Sequence, residues 1–415
     1  MSTYDFHELI TYVRENSKFF RDLYAHLPTS GFRVSDLPIT NQDEYWKHNS
    51  FSNNSVLTDK TSDGVIFKSG GTTGNPKFSY FTKSEWNKFT LDFGFGMDQL
   101  RMRDGDLCAN LFYSGDLYAS FLFINKSVEQ MQTKVTQFPI TGQTEIDVSL
   151  KIITDYKVNV LFGVPTSLIN MAALTSEPIT CVDQIYYGGE PLFDDQRESL
   201  LKAFPNAYIS SIGYASVDGG QLGYVDSECS ASEHKVFPST IIEIVDADTG
   251  ELIEEEGRVG KLIFTNLSRR LMPIIKYPVG DMASWVQVGE KFKLLGRSDE
   301  GARIGPVTIN RDDIASILKG SKIDHLVNSF QLVIKRKSGK DYLHLFLGRL
   351  GKEELNSSEI ETSLKAYFYE QRPMYLKEYQ SNIIEDVEIS LVPSDNLLKN
   401  PRTGKLKLVI DQRNN

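Results

Sequence analysis

Cysteine and histidine are scarce in this 415-residue sequence. It contains only three cysteines, Cys108, Cys181 and Cys229, and six histidines. The cysteines lie far apart and form no CxxC pair, so they offer neither a disulfide framework nor a zinc site. The histidines are equally scattered, which argues against a histidine-based metal centre. We therefore expect reduced cysteines and no transition-metal site.

Long apolar runs and an excess of positive charge are also missing. No run approaches the roughly 18 apolar residues that cross a membrane, and the first eight residues lack the basic start and apolar core of a secretion signal. The formal net charge of −10 disfavours non-specific binding to nucleic acid or to an anionic membrane. We predict a soluble cytoplasmic protein that has neither nucleic acid nor membrane as a partner. A site for an anionic ligand must then be a local positive pocket.

The length and the changing texture of the chain predict more than one domain. Short apolar strands alternate with helices up to about residue 240, which is typical of α/β architecture with largely parallel sheets. The pattern then changes to strands separated by tight turns, and it restarts after Gly296 with new strands and a helix. The sequence predicts an α/β fold: an N-terminal domain over 1–296 with mixed α/β layers and a small antiparallel β subdomain, and a smaller α+β domain over 297–415.

Individual elements are also predicted from the apolar periodicity. The apolar positions predict a helix over 83–97 and strands over 184–187 and 240–245. Residues 1 to 50 are predicted to be helical and then irregular, with a first helix that packs on the body of the protein.

One glycine-rich stretch, from Ser69 to Lys77, follows a short apolar strand. Its glycines let backbone N–H groups turn inward, its hydroxyls donate hydrogen bonds, and Lys77 adds a point charge, a combination that suits phosphate. The same residue types also dominate ordinary surface turns. The order differs from the phosphate loop of nucleotide triphosphatases, because Lys77 is separated from Gly74 and is followed by Phe78. We predict a phosphate-holding loop of another kind.

This stretch resembles the signature loop of the adenylate-forming superfamily, which includes acyl-CoA synthetases, the adenylation domains of peptide synthetases and firefly luciferase. In that superfamily the loop closes over the β and γ phosphates of ATP. The resemblance therefore implies that Lys77 is catalytic and that ATP is bound by Ser69, Gly70, Gly71, Thr72, Thr73 and Gly74.

Two further motifs follow in the superfamily's order. The run from Gly188 to Leu192 resembles a loop that borders the adenine and the acyl pocket, which implicates Gly189, Glu190 and Pro191. By itself this run also fits an ordinary structural turn. About twenty residues later, the position of the superfamily's "Y-G-x-T/S-E" motif implies that Tyr214 stacks on adenine and that Ala215 and Ser216 line the nucleotide.

The metal-binding position of that second motif departs from the superfamily. A glutamate that helps to hold Mg²⁺ is replaced by Val217, which has no oxygen for a hard cation. Asp218, one residue further on, could serve as the metal ligand only with a shifted backbone.

The run from Gly260 to Asp281 resembles a pattern of phenylacetate-CoA ligases, "GELVxTNL…MPxIRYxTGD". An ionised aspartate at its end can accept both ribose hydroxyls, because it has two acceptor oxygens. We assign that role to Asp281. The alternative is an aspartate in an ordinary turn at the end of a strand.

The last two motifs lie in the predicted C-terminal domain. The run Leu295 to Glu300 resembles a "GRxD" hinge, which places Arg297 near the nucleotide and makes the domain mobile about Asp299. The run Asn400 to Lys405 resembles a "P-x-T-x-G-K" loop whose lysine drives adenylation, a role that falls to Lys405. A solvated basic tail is the alternative interpretation of this run.

The resemblance, which covers essentially the whole chain, implies activation of a carboxylic acid by ATP and Mg²⁺, followed by transfer of the acyl group to a thiol such as CoA. Alternatives are transfer to a carrier protein or an amine in secondary metabolism, or a nucleotide-binding relative without catalysis. Six aromatic residues suit an aryl or medium apolar acid, although they would serve equally well as core: Phe112, Tyr113, Tyr118, Phe121, Phe162 and Tyr186.

Overall fold

The computed structural model describes residues 3–51, 54–60, 63–69, 77–192, 194–230, 232–247, 249–297, 301–323, 326–349, 357–398 and 406–413. These residues form two compact units, the first ending at Leu295 and the second beginning at Gly296. In the described ranges, no helix is both long enough and apolar enough to span a bilayer.

The first unit begins with three short helices, α1 (Phe6–Asn16), α2 (Lys18–Leu23) and α3 (Gln42–His48). Asp5 caps α1, because its carboxylate accepts a hydrogen bond from the N–H of His7 at 2.9 Å. Leu9, Ile10 and Val13 form the buried face of α1 and share a core cluster with the antiparallel sheet of this unit. The prediction that this helix packs on the body of the protein is confirmed.

A β-hairpin and a long helix follow. Strands β1 (Val65–Ser69) and β2 (Lys77–Phe81) pair antiparallel, with Ser69 opposite Lys77, so residues 70 to 76 connect the two strands. Helix α4 (Lys83–Met97) has the bounds that the sequence predicts. Its start is fixed by a capping box, in which Thr82 and Glu85 accept each other's backbone N–H.

A five-stranded parallel sheet forms the centre of the first unit. Its strands are β3 (Leu107–Asn110), β4 (Thr136–Phe138), β5 (Val160–Gly163), β6 (Gln184–Tyr187) and β7 (Tyr208–Ser211). The connecting helices are α5 (Ser120–Glu129), α6 (Ile146–Asp155), α7 (Pro165–Ala173) and α8 (Asp194–Ala203). The strand order is β4-β3-β5-β6-β7, so the chain reverses direction across the sheet between β3 and β5. Ligands of such sheets bind at the carboxyl ends of the strands near this reversal.

A seven-stranded antiparallel sheet completes the unit. Its strands are β8 (Tyr214–Ser216), β9 (Gly220–Tyr224), β10 (Glu233–Val236), β11 (Thr240–Val245), β12 (Val259–Asn266), β13 (Tyr277–Gln287) and β14 (Lys291–Arg297). The order is β11-β12-β13-β14-β10-β9-β8. The Asn266 amide donates to the carbonyl of Gly219 at 2.8 Å, so the end of β12 contacts the residue before β9 although the two strands are not neighbours in this order.

The second unit is an α+β layer structure. Its strands are β15 (Gly301–Ile304), β16 (Val307–Asn310), β17 (Val327–Lys337), β18 (Lys340–Arg349), β19 (Glu388–Pro393) and β20 (Val409–Asp411). Its helices are α9 (Arg311–Gly320), α10 (Ser357–Gln371) and α11 (Pro373–Gln380). The main sheet has the order β19-β18-β17-β20, and its apolar face packs with the helices in one core. The predicted fold class is confirmed.

Candidate active site

Tyr214 and Asp281, which are both predicted to bind the nucleotide, lie together. Tyr214, on β8, donates its phenolic hydroxyl to a carboxylate oxygen of Asp281, on β13. Asp281 follows Gly280, whose φ of +84° is a left-handed conformation that suits glycine. The Tyr214 ring is flanked by the rings of His234 at 5.8 Å and Phe292 at 6.2 Å, measured between centroids. The pair therefore presents an aromatic face and a carboxylate side by side.

His234 lies against the Tyr214–Asp281 pair. The sequence gives no signal of this, because His234 is one of six scattered histidines. Its ring is buried and stacks on Phe292, and burial lowers its pKa to about 4. The neutral ring lies with Nδ1 3.2 Å from the carbonyl of Ser232 and Nε2 3.4 Å from the hydroxyl of Ser211. The missing Cβ of Gly223 makes room for it, because a Cβ there would lie 2.7 Å from that of His234.

A second carboxylate, that of Asp218, lies beside the β1–β2 hairpin near the end where the glycine-rich stretch connects the two strands. It accepts hydrogen bonds from the hydroxyl of Ser69 and, at 3.4 Å, from that of Ser79. Val217 packs instead against an apolar cluster. The carboxylate of Asp218, one position after the acidic position of the superfamily motif, therefore faces the start of the glycine-rich stretch.

The glycine-rich stretch itself is described only at its two ends. Gly70, Gly71, Thr72, Thr73 and Gly74 lie outside the described residues, so the predictions for them stay predictions. The ammonium group of Lys77 lies 5.3 Å from the ring centroid of Trp46. The Trp46 indole in turn donates to the hydroxyl of Tyr277 at 2.7 Å, which connects the end of the hairpin to β13.

The loop after β6 is shaped by a helix cap. The Glu190 carboxylate accepts from the backbone N–H of Thr166 at 3.1 Å and from its hydroxyl at 2.6 Å, and so caps the start of α7. Gly189 has a φ of +81°, and Pro191 is exposed. These contacts give Glu190 a part in building the loop, while a role of the loop in nucleotide binding stays a prediction.

Ser216 and Ala215 lie beside the Asp218 turn. The Ser216 hydroxyl accepts from the N–H of Gly219 at 2.9 Å, so it stabilises the turn. Ala215 packs against the same apolar cluster as Val217. Contacts of either residue with a nucleotide stay predictions.

The segment leading to Asp281 is hydrogen-bonded to helix α3 and to the residues just before it. The Thr40 hydroxyl donates to the carbonyl of Ile275 at 2.7 Å, and the Tyr45 hydroxyl donates to that of Pro273 at 3.0 Å. Thr40 and helix α3 therefore support the backbone that leads to Asp281.

The remaining predicted positions are only partly described. Arg297 is the last residue of β14, and its side chain lies outside the description, as do Asp299 and Lys405. Their assigned roles stay predictions.

The six aromatic residues proposed for the acid pocket separate into two groups. Phe112, Phe162 and Tyr186 are buried in the core, and the Tyr186 hydroxyl donates to the Gln184 side chain at 2.7 Å. Tyr113 and Tyr118 are instead exposed by 43% and 49%, in the loop after β3, and Phe121 is half-buried. This loop begins at the carboxyl end of β3, where the strand order of the sheet reverses, which is the expected place for a ligand.

The residues present suit a magnesium ion that arrives bound to ATP better than a metal ion enclosed entirely by protein ligands. Within the described ranges, no group of three or more histidine, cysteine, aspartate or glutamate side chains is arranged to hold a metal. Mg²⁺ commonly uses one or two carboxylates and completes its shell with phosphate and water. The Asp218 carboxylate, with the Ser69 and Ser79 hydroxyls beside it, fits that requirement.

Comparisons with known proteins bear on the fold and on sequence similarity. No protein-family model matches the chain. A phenylacetate-coenzyme A ligase of Thermus thermophilus is 25% identical, and the match covers 98% of this chain and 94% of that protein. An indoleacetate–lysine synthetase of Pseudomonas savastanoi is 26% identical over 57% of this chain and 53% of its own length.

Among solved structures, 2-hydroxyisobutyryl-CoA ligase in complex with 2-HIB-AMP and CoA superposes with a TM-score of 0.71 at 16% identity, over 98% of this chain and 88% of that one. This likeness establishes the fold. The sequence relatives named phenylacetate-coenzyme A ligase show what the chain resembles in sequence. Over almost its whole length the chain is therefore similar to phenylacetate-CoA ligases, and it has the fold of an acyl-CoA ligase.

Proposed function

We propose that this protein activates an aromatic carboxylic acid with ATP and transfers the acyl group to CoA. The observation that supports this most directly is the Tyr214–Asp281 pair, which offers a ring and a carboxylate side by side. An adenosine needs both, because its base stacks on aromatic faces and its ribose donates two hydroxyl hydrogens.

The reaction has two balanced halves. A carboxylate oxygen of the acid attacks the α phosphorus of ATP, the bond to the bridging oxygen of the β phosphate breaks, and pyrophosphate leaves. The thiol sulfur of CoA, having lost its proton, then attacks the acyl carbon, and AMP leaves with the oxygen that joined it to the acyl group.

Each residue has one task in this proposal. Lys77, Thr72 and Thr73 hold the phosphates, and Lys405 neutralises the charge that develops as the α phosphorus is attacked, which is where preorganised charge contributes most. Asp218 would hold Mg²⁺ bound to ATP, and this ion would neutralise the phosphate oxygens.

The acid is proposed to be an arylacetic acid. The relatives named above are called a phenylacetate ligase and an indoleacetate synthetase, and both acids carry an aromatic ring next to an acetic acid group. The exposed Tyr113 and Tyr118 could contact such a ring.

ATP–pyrophosphate exchange with Mg²⁺ tests the proposal, using arylacetic, benzoic, fatty and amino acids as the panel. We expect exchange with arylacetic acids, and thioester formation when CoA is added. Lys405→Ala should reduce exchange by roughly two to three orders of magnitude, as removal of a transition-state charge partner does. Lys407→Ala, two positions away in the same basic run, is the matched control. Silence of the wild type for every acid, or normal exchange by Lys405→Ala, would contradict the proposal.

An amine is the second candidate acceptor. The likeness to an indoleacetate–lysine synthetase favours it. Offering CoA and lysine together to the activated acid, and identifying the product by mass spectrometry, separates a thioester from an amide.

A further inference from the structure

Arg269 is an arginine buried inside the first unit, in the segment between β12 and β13. Its side chain is 1% exposed, and its guanidinium lies 4.0 Å from the ring centroid of Phe81. One terminal nitrogen donates to the carbonyl of Asp218 at 2.7 Å, and the other donates to the carbonyl of Tyr80 at 2.9 Å. A single side chain thus connects the Asp218 turn to β2 of the glycine-rich hairpin.

Burying this charge is costly, so the arginine requires an explanation. Removing a guanidinium from water disfavours its charged form, and burial lowers the pKa of Arg269. The negative charges of Glu85 and Asp218 act in the opposite direction. Two backbone carbonyls, one at each terminal nitrogen, suit the fork of a guanidinium, whereas the point charge of lysine could satisfy only one of them well.

The turn that Arg269 holds is fixed on its other side as well. The Asn266 amide donates to the carbonyl of Gly219, and a Cβ on Gly219 would lie 2.2 Å from the ring of Phe264. With its backbone held in this way, Asp218 directs its carboxylate to the hydroxyls of Ser69 and Ser79. Val217, at the position where the superfamily has its acidic residue, packs into the core instead.

We propose that Arg269 is a positioning residue that fixes the Asp218 turn against β2 and thereby holds the displaced carboxylate at the base of the glycine-rich loop. This inference rests on the proposed function, because it assumes that Asp218 meets the phosphates of ATP or their magnesium ion. Arg269 compensates for the lost acidic residue at position 217 by making the next residue available.

Calorimetric titration with ATP, in magnesium and in EDTA, tests the inference on the full chain. Arg269→Met should raise the Kd for ATP about tenfold in magnesium, the size expected for losing one charged hydrogen-bonding group, and it should change the Kd in EDTA less. Arg269→Lys should recover part of the loss. If Arg269 acts through Asp218, the double variant Arg269→Met with Asp218→Asn should bind no more weakly than Asp218→Asn alone.

Arg270→Met is the matched control. Arg270 also lies against aromatic rings, at 3.7 Å from the Tyr4 centroid, but it pairs with Glu8 on the outer side of the segment. We expect wild-type ATP binding from this variant. Thermal unfolding is measured in parallel, and the cycle is run with Arg269→Lys if Arg269→Met does not fold.

The outcomes separate the inference from the proposed function. Additive losses in the double variant, or equal losses in magnesium and in EDTA, would overturn the positioning role while the proposed function stands. A wild-type protein that binds no ATP would overturn both.

Discussion

The two carboxylates of the site are held in different ways. Asp281 lies within β13, accepts from the phenol of Tyr214, and follows a segment to which Thr40 and Tyr45 donate hydrogen bonds. Asp218 lies in a turn, accepts from two serine hydroxyls of the hairpin, and has its backbone fixed by a buried arginine. Asp281 occupies the place that its motif predicts, whereas Asp218 stands one position beyond the expected one.

This difference shows how a site tolerates change. Asp281 lies where the pairing of β13 with β12 shifts its register, directly after Gly280 in a left-handed conformation, so its direction depends on this irregularity of the strand. A carboxylate in a turn can move by one position if other groups reposition the backbone. We therefore expect the two aspartates to respond differently to substitution and to magnesium.

Asp281→Asn should cause the largest loss. Two charge-assisted hydrogen bonds to ribose, each at roughly 1.5–2 kcal/mol, correspond to a rise of roughly 300-fold in the KM for ATP. The magnesium concentration that gives half-maximal exchange should stay unchanged.

Steady-state ATP–pyrophosphate exchange measures this effect, and Asp246→Asn is the control because Asp246 pairs with Arg258 at 3.0 Å on the same antiparallel sheet. A change of less than threefold in the KM for ATP of Asp281→Asn would contradict the assignment of Asp281 to the ribose.

The sequence carries a local signal for Asp281 but none for Arg269, which holds the Asp218 turn. Helix α4 and strand β6 have their predicted bounds, because apolar periodicity is a local signal. The assignment of Asp281 to the ribose comes from the run that precedes it and stays a prediction. Arg269 carries no such signal, since its role depends on the carbonyl of Tyr80, 189 positions earlier in the chain. The sequence gives no signal for the role of His234 either, because its burial comes from the packing of separate strands.

The pH dependence of stability sharpens the Asp281 side of the comparison. His234 has a pKa of about 4 in the folded protein and an ordinary value of 6.5. The unfolded chain therefore binds more protons between these values, so stability is complete above pH 6.5 and falls as the pH drops to 4. At 1.36 kcal/mol per unit, the loss reaches roughly 3 kcal/mol.

Urea unfolding followed by tryptophan fluorescence checks this prediction. All three tryptophans, Trp46, Trp86 and Trp285, lie in the first unit, so the signal reports on the unit that contains His234. His234→Gln should flatten the loss relative to the wild type. His344→Gln is the control, because His344 also has a pKa of about 4 but lies in the second unit. Equal pH slopes in the wild type and His234→Gln would be inconsistent with a neutral buried ring.

Asp218→Asn should cause a smaller loss, about tenfold in exchange activity, because water and phosphate complete most of the shell of a magnesium ion bound to ATP. Unlike Asp281→Asn, it should raise the magnesium concentration that gives half-maximal exchange. Magnesium titrations of both variants measure the contrast. Asp226→Asn is the control, because Asp226 pairs with Lys235 at 2.5 Å outside the hairpin. If Asp218→Asn did not change the magnesium concentration that gives half-maximal exchange, the prediction that Asp218 and Asp281 differ in their relation to magnesium would be wrong.

Tyr214→Phe should have the smallest effect, because it keeps the aromatic face and removes only the hydrogen bond to Asp281. Losing one orienting hydrogen bond of about 1 kcal/mol corresponds to a rise of roughly fivefold in the KM for ATP with little change in kcat. Tyr224→Phe, on the neighbouring strand β9, should match the wild type. If Tyr214→Phe instead lost as much as Asp281→Asn, the phenol would be as important for the ribose as the carboxylate, and the aromatic face could not be the main contribution of Tyr214.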